Sequence, residues 1–187
     1  MCSDSADSIT DDSVEVVVAL GANLGDPLAQ LRFAARELEK ISIRPLRYSS
    51  VWETQPVDCP PGSPVFANTI ILAVAGADES PKAWLDQFQD WERQAGRVPK
   101  RMLNEARPLD VDLIAWGRRQ LSTDRLVLPH PRAHLRRFVL EPLVELLPEW
   151  YLPGQLKPVR DLLEGLPPDS TFRKWVSAPE FSFLCRN

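Results

Sequence analysis

The 187-residue sequence predicts a layered α+β fold, helices packed on a sheet, rather than a bundle or a barrel. Three observations carry this. Short β-branched runs such as Glu15-Val-Val-Val-Ala-Leu20 alternate along the chain with stretches of helical period. The connections between them are both long and short. A hydrophobic content of 44% and a charged content of 26% are those of one globular domain with a sizeable core.

Residues 1–13 are polar, acidic and small, which predicts a disordered tail. Glu15–Leu20 reads as a central strand, and Gly21-Ala22-Asn23-Leu24-Gly25 as a turn. Asp26-Pro27 supplies the N-cap and first-turn proline of a helix that runs to about Lys40, with Leu28, Leu31, Ala35 and Leu38 at helical spacing. A second strand is expected over Arg44–Glu53, a proline-rich loop over Thr54–Pro64, and a third strand over Phe66–Val74. Ser80-Pro81 opens a second helix with Trp84, Phe88, Trp91 and Ala95 inward, ending at Gly96. The basic stretch 97–106 has no period and reads as an exposed loop. The strand Asp110–Trp116 follows, and Gly117–Gln120 is expected to turn a hairpin. Leu126–Pro131 is extended. Phe138–Leu147 and Pro158–Leu166 are short helices, and residues 176–187 are expected as a C-terminal extension to a domain spanning 14–175.

The net charge of −4 argues against general affinity for nucleic acid or anionic membrane, so local basic clusters gain meaning. Cys2, Cys59 and Cys185 are few, odd in number and far apart, which implies no disulfide framework and fits a cytoplasmic protein. No apolar run approaches the length of a membrane span.

Asp110 and Asp112 alternate with Leu109, Val111 and Leu113, so the carboxylates share one strand face, roughly 6.6 Å apart. Such a pair is an acidic solvent face or a site for a hard divalent cation of the Mg²⁺ kind. Burial suggested by the apolar residues that follow favours the cation. Arg93, Arg97, Lys100, Arg101 and Arg107 crowd the preceding segment. Alone they are a solvated loop; beside paired carboxylates they complete the parts of a phosphoryl-transfer site. The glycine turn at 21–25 is neither a P-loop nor a dinucleotide fingerprint, and alone it is a structural turn. His130, held between two prolines, is a phosphate donor or a structural histidine.

Val18–Gly25, Thr54-Gln-Pro56, Phe66-Ala-Asn68, Glu92–Arg97, Arg107–Leu113 and Leu128-Pro-His130 together resemble the hydroxymethyl-dihydropterin pyrophosphokinases, in order and in spacing. The resemblance covers roughly residues 15–175. It implies a ferredoxin-like α/β/α sandwich with a mostly antiparallel sheet, and transfer of pyrophosphate from ATP to a reduced pterin alcohol in folate biosynthesis. It further implies two Mg²⁺ held by Asp110 and Asp112, and ATP bound by Gln89, Glu92, Arg97, Arg107, Leu113, Arg125, His130 and Arg136. Arg97 and Arg107 become loop arginines near the transferred group. Thr54, Val57, Phe66, Asn68 and Phe138 become the pterin pocket, and the expected state is a monomer without nucleic-acid or membrane partners. The alternative is a pterin- or nucleotide-binding homologue without useful turnover. Three departures from the family pattern stand out. Ala22 replaces the usual serine, Asp58 a glycine, and Leu103-Asn104-Glu105-Ala106-Arg107 the usual Arg-Trp-x-Pro-Arg.

Overall fold

The computed structural model describes residues 13–56, 62–97 and 107–186. The N-terminal stretch expected as a tail therefore lies outside the described residues, apart from Ser13.

Strand β1 (Val14–Ala22) leads into helix α1 (Pro27–Ile41), which Asp26 caps by accepting the Ala29 N–H, with Pro27 in the first turn. The expected second strand is split into β2 (Arg47–Tyr48) and β3 (Val51–Thr54). The cause is Ser49, whose Oγ accepts the Ile70 N–H at 2.8 Å while its own N–H donates to the Ile70 carbonyl. A side chain thus replaces a backbone acceptor and breaks the ladder. Strand β4 (Phe66–Ala75) and helix α2 (Pro81–Gln94) follow as expected, then β5 (Asp110–Trp116).

The hairpin expected at 117–120 forms further on. β6 (Leu121–Ser122) pairs with β7 (Val127–Leu128) rather than with β5, and Thr123 closes that turn by bonding Leu126. A 3₁₀ turn at Ala133–Leu135 precedes α3 (Arg137–Leu146), and α4 (Val159–Glu164) follows. The chain closes with β8 (Arg173–Val176) and α5 (Ala178–Arg186). The stretch 176–187 thus holds a helix that packs on α1, with Phe181 and Cys185 buried.

The main sheet has the order β5-β1-β4-β3-β8, with β2 also on β4, and its pairings are antiparallel. Alternate residues build two cores. Val16, Val18, Val111 and Leu113 meet Leu31 and Leu38 of α1 and Trp84 and Phe88 of α2. Val17, Ile70 and Ile114 meet Val139, Leu140 and Leu143 of α3. This is an α/β/α sandwich of ferredoxin-like strand order. Among the described residues no helix is long and apolar enough to cross a membrane.

Candidate active site

Because Val111 and Leu113 point into the α1–α2 core, Asp110 and Asp112 emerge on the α3 face. Register then fixes their neighbours. Gly21 of β1 lies opposite Asp110 on one side and Asn68 of β4 on the other, and Trp52 of β3 lies opposite Asn68. One pleat along, Ala19 separates Asp112 from Ile70. Two strand spacings put the Asp110 and Asn68 backbones about 10 Å apart. The floor between them is Gly21 and Ala19, which put no large side chain between the carboxylates and the amide. A Cβ on Gly21 would stand 3.0 Å from Asn68 Oδ1 and 3.9 Å from Asp110 Cβ.

The charged end is held by arginines. Arg107 Nη1 reaches Asp110 Oδ2 at 2.9 Å, Arg97 Nη1 reaches Asp110 Oδ1 at 3.0 Å, and Arg136 Nη1 lies 3.8 Å from Asp112 Oδ2. Arg97 also pairs with Glu92. Its direction is set by the end of α2: Gly96, at φ 93°, places the Gly96 N–H on the Arg93 carbonyl and the Arg97 N–H on the Glu92 carbonyl. That double bond pattern reverses the chain, so Arg97 comes back over the carboxylate of its own helix. Glu92 in turn accepts the Val111 N–H at 2.9 Å on the open edge of β5.

Burial pushes Asp112 up to about 6, helped by the neighbouring Asp110 charge and opposed by Arg136, Arg107 and Arg97. Burial likewise pushes Glu92 up to about 7, against the Val111 hydrogen bond and Arg97, with Asp110 and Asp112 adding to the rise. His130 is driven down to about 4 by burial and by Arg136 and Arg132. Its Nδ1 accepts the Arg132 N–H at 3.2 Å, which leaves the proton on Nε2. Near neutral pH it is an uncharged Nε2–H donor beside β5, anchored where its backbone N–H meets the Ile114 carbonyl.

The other end is neutral. Asn68 Nδ2 donates to Thr54 Oγ1 at 2.9 Å, and both residues are buried. Phe66 pairs in register with Thr54, and Phe138 lies in the first turn of α3 with the Arg136 guanidinium 5.3 Å above its ring.

Most of the residues expected at the site therefore converge. Gln89 is half-buried one turn before Glu92. Leu113 points into the α1–α2 core at 3% exposure, so only its backbone is available to a ligand. Arg125 is exposed and donates to Asp86 at 2.9 Å, nearly two turns before Glu92 on α2. Val57 lies outside the described residues, as do residues 98–106 of the basic loop. Two residues were not singled out from the sequence. Trp52 extends the Asp110–Gly21–Asn68 row and packs against Phe172 with ring centroids 5.3 Å apart. Asn23 is buried in the turn after β1.

Two carboxylates suit a magnesium ion whose remaining ligands are waters and substrate phosphate oxygens. Among the described residues no cluster of three or more acidic, histidine or cysteine side chains would form a self-sufficient cage.

Residues 17–148 match the family model described as 7,8-dihydro-6-hydroxymethylpterin-pyrophosphokinase (HPPK). The chain belongs to this family. It is 35% identical over 186 residues to the 2-amino-4-hydroxy-6-hydroxymethyldihydropteridine pyrophosphokinase of Mycobacterium bovis, covering 92% of this chain and 94% of that one. Identity to the Haemophilus influenzae pyrophosphokinase is 33%, over 75% of this chain and 86% of the relative. It is 35% identical to a folate synthesis bifunctional protein of Arabidopsis thaliana, over 71% of this chain, but spans only 27% of that relative's length. Among solved structures, an HPPK-DHPS in complex with substrates shares the fold at TM-score 0.68 and 12% identity, over 86% of this chain and 46% of that one. The Plasmodium falciparum HPPK-DHPS with pteroate superposes at TM-score 0.63 and 14% identity, over 81% and 42%.

Proposed function

We propose that this chain transfers a pyrophosphoryl group from ATP to the hydroxymethyl group of a reduced pterin, releasing AMP, as a cytoplasmic enzyme of folate synthesis. The observation that carries the reading is the row Asn68–Gly21–Asp110: a neutral amide site and a carboxylate pair on one sheet face, with only glycine and alanine between them. The hydroxymethyl oxygen attacks the β-phosphorus, the bond from that phosphorus to the oxygen bridging to the α-phosphate breaks, and AMP leaves while the hydroxyl proton passes to solvent.

Asp110 and Asp112 would hold Mg²⁺, which when bound neutralises phosphate charge and polarises the P–O bonds. Arg97 and Arg107 offer guanidinium forks to phosphate oxygens, and His130 offers an Nε2–H. Asn68 and Thr54 present a donor and acceptor set to the edge of a flat heterocycle, with Phe66 and Phe138 for its faces. Positioning and charge neutralisation supply the acceleration without a covalent intermediate.

AMP release in a coupled assay, with ATP, Mg²⁺ and the reduced pterin alcohol, tests the reading. AMP formed in equal amount to pterin diphosphate supports it. Tight binding of both ligands with no AMP makes the chain a binding homologue.

A further inference from the structure

Asn23 is 2% exposed and ties together two segments distant in sequence. Its Oδ1 accepts the Arg107 backbone N–H at 2.8 Å, and its own N–H donates to the Arg107 carbonyl at 3.2 Å. Its Nδ2 donates to the Pro64 carbonyl at 3.2 Å. Pro64 stands two residues before Phe66, which faces Thr54 across the sheet, and Arg107 carries the guanidinium that meets Asp110.

We propose that Asn23 is a positioning residue that fixes the pterin side and the phosphate side of the site to one point. The proposal rests on the pyrophosphoryl-transfer reading and adds to it a group that need touch neither substrate. The side chain at position 23 accepts at one atom and donates from another, which an amide does; an ionised carboxylate has no donor, and a hydroxyl has a single oxygen for both roles. Held on both its N–H and its carbonyl, the Arg107 backbone gives the guanidinium a fixed origin. A displacement of about 1 Å at a reacting group costs on the order of a hundredfold in rate. Tying Pro64 to the same amide makes the placement of the attacking oxygen depend on the placement of Arg107.

The two functions of the amide separate by substitution. Asn23→Asp keeps an acceptor for the Arg107 N–H but sets a carboxylate oxygen against the Pro64 carbonyl. It should raise the pterin KM by about tenfold, the effect of one lost buried hydrogen bond, with kcat changed only a few-fold. Asn23→Ala loses both bonds and should raise the pterin KM and also lower kcat. In the double variant Asn23→Ala with Arg107→Ala, kcat should fall no further than in Arg107→Ala alone, since Arg107 is the group that Asn23 places. Amide hydrogen exchange at Arg107 gives a readout independent of turnover: protection should drop in Asn23→Ala and persist in Asn23→Asp. Unchanged kcat and pterin KM in a folded Asn23→Ala would overturn the proposal, as would losses that multiply in the double variant or Arg107 protection unaltered by Asn23→Ala. A wild-type chain that forms no AMP would instead overturn the transfer reading. Exchange at Arg107 would then still decide whether Asn23 makes the tie.

Discussion

The two ends of the row across the sheet are built on different physics. At the Asp110 end carboxylates and guanidiniums dominate, with the neutral His130 beside them, and the ion pairs of Arg97, Arg107 and Arg136 hold the carboxylates in place. At the Asn68 end the groups are neutral, and the hydrogen bond between two buried side chains, Asn68 to Thr54, is satisfied inside the protein. Charged partners can be exchanged for others of the same sign, so the first end suits a cation and a polyphosphate that arrive together. A neutral amide discriminates by donor and acceptor geometry, so the second end suits an uncharged ring whose fit matters more than its charge. Substitutions at the two ends should therefore fail in different ways.

The largest effect is expected from Asp110→Asn combined with Asp112→Asn. Turnover should fall by about a thousandfold or more, and Mg²⁺-dependent ATP binding should disappear. The variant should still fold, since the repulsion between the carboxylates is removed with them. Isothermal titration with ATP in Mg²⁺ and in chelator checks the loss, and circular dichroism the fold.

Next comes Gly21→Ala, which adds a side chain between the ends. Its methyl group would lie 3.0 Å from Asn68 Oδ1 and only in ordinary contact with Asp110 Cβ. Asn68 must give way, so the pterin KM should rise well before the ATP KM does. Steady-state kinetics with each substrate varied in turn gives the comparison.

Asn68→Ala should weaken pterin binding by about 1–3 kcal/mol, through the loss of a buried polar partner, and leave ATP affinity nearly unchanged. An equal loss for both ligands would mean that Asn68 supports the fold rather than the pocket.

The smallest effect separates the ends by pH. Asp112 and Glu92, raised to about 6 and about 7, hold more protons in the folded chain than in the unfolded one, so their contribution to stability falls as pH rises from about 4 to about 7. His130, lowered to about 4, does the opposite between about 4 and 6.5. Asp112→Asn should therefore make ligand-free stability rise more steeply from pH 4.5 to 7, by about 1 kcal/mol, since solvent screens a carboxylate whose side chain is 33% exposed. Asn68→Ala should not change that slope. Urea midpoints at the two pH values measure both.

The carboxylate strand was legible because apolar alternation and paired acids survive in a seven-residue window. The two helices on one face were legible from their caps and period. What escaped the sequence reading depends on contacts between distant segments. Ser49 breaks a strand only because Ile70 stands opposite. Arg125 carries a charge that suits phosphate, and only the fold shows that Asp86 stands beside it. β8 and α5 left little pattern. Three of the four β8 residues are exposed and the strand exists through its pairing with β3, while α5 buries only Phe181 and Cys185. Asn23 in a glycine turn looked like punctuation, although a buried asparagine there is itself a signal of a tether.

The division of labour between the two ends is tested most directly by measuring the ATP KM and pterin KM side by side for wild type, Asn68→Ala and Arg136→Ala. Arg136 is chosen because it faces Asp112 while sparing both carboxylates. The account predicts that Asn68→Ala raises the pterin KM alone and that Arg136→Ala raises the ATP KM by the larger factor. Equal rises in both constants for both variants would contradict it.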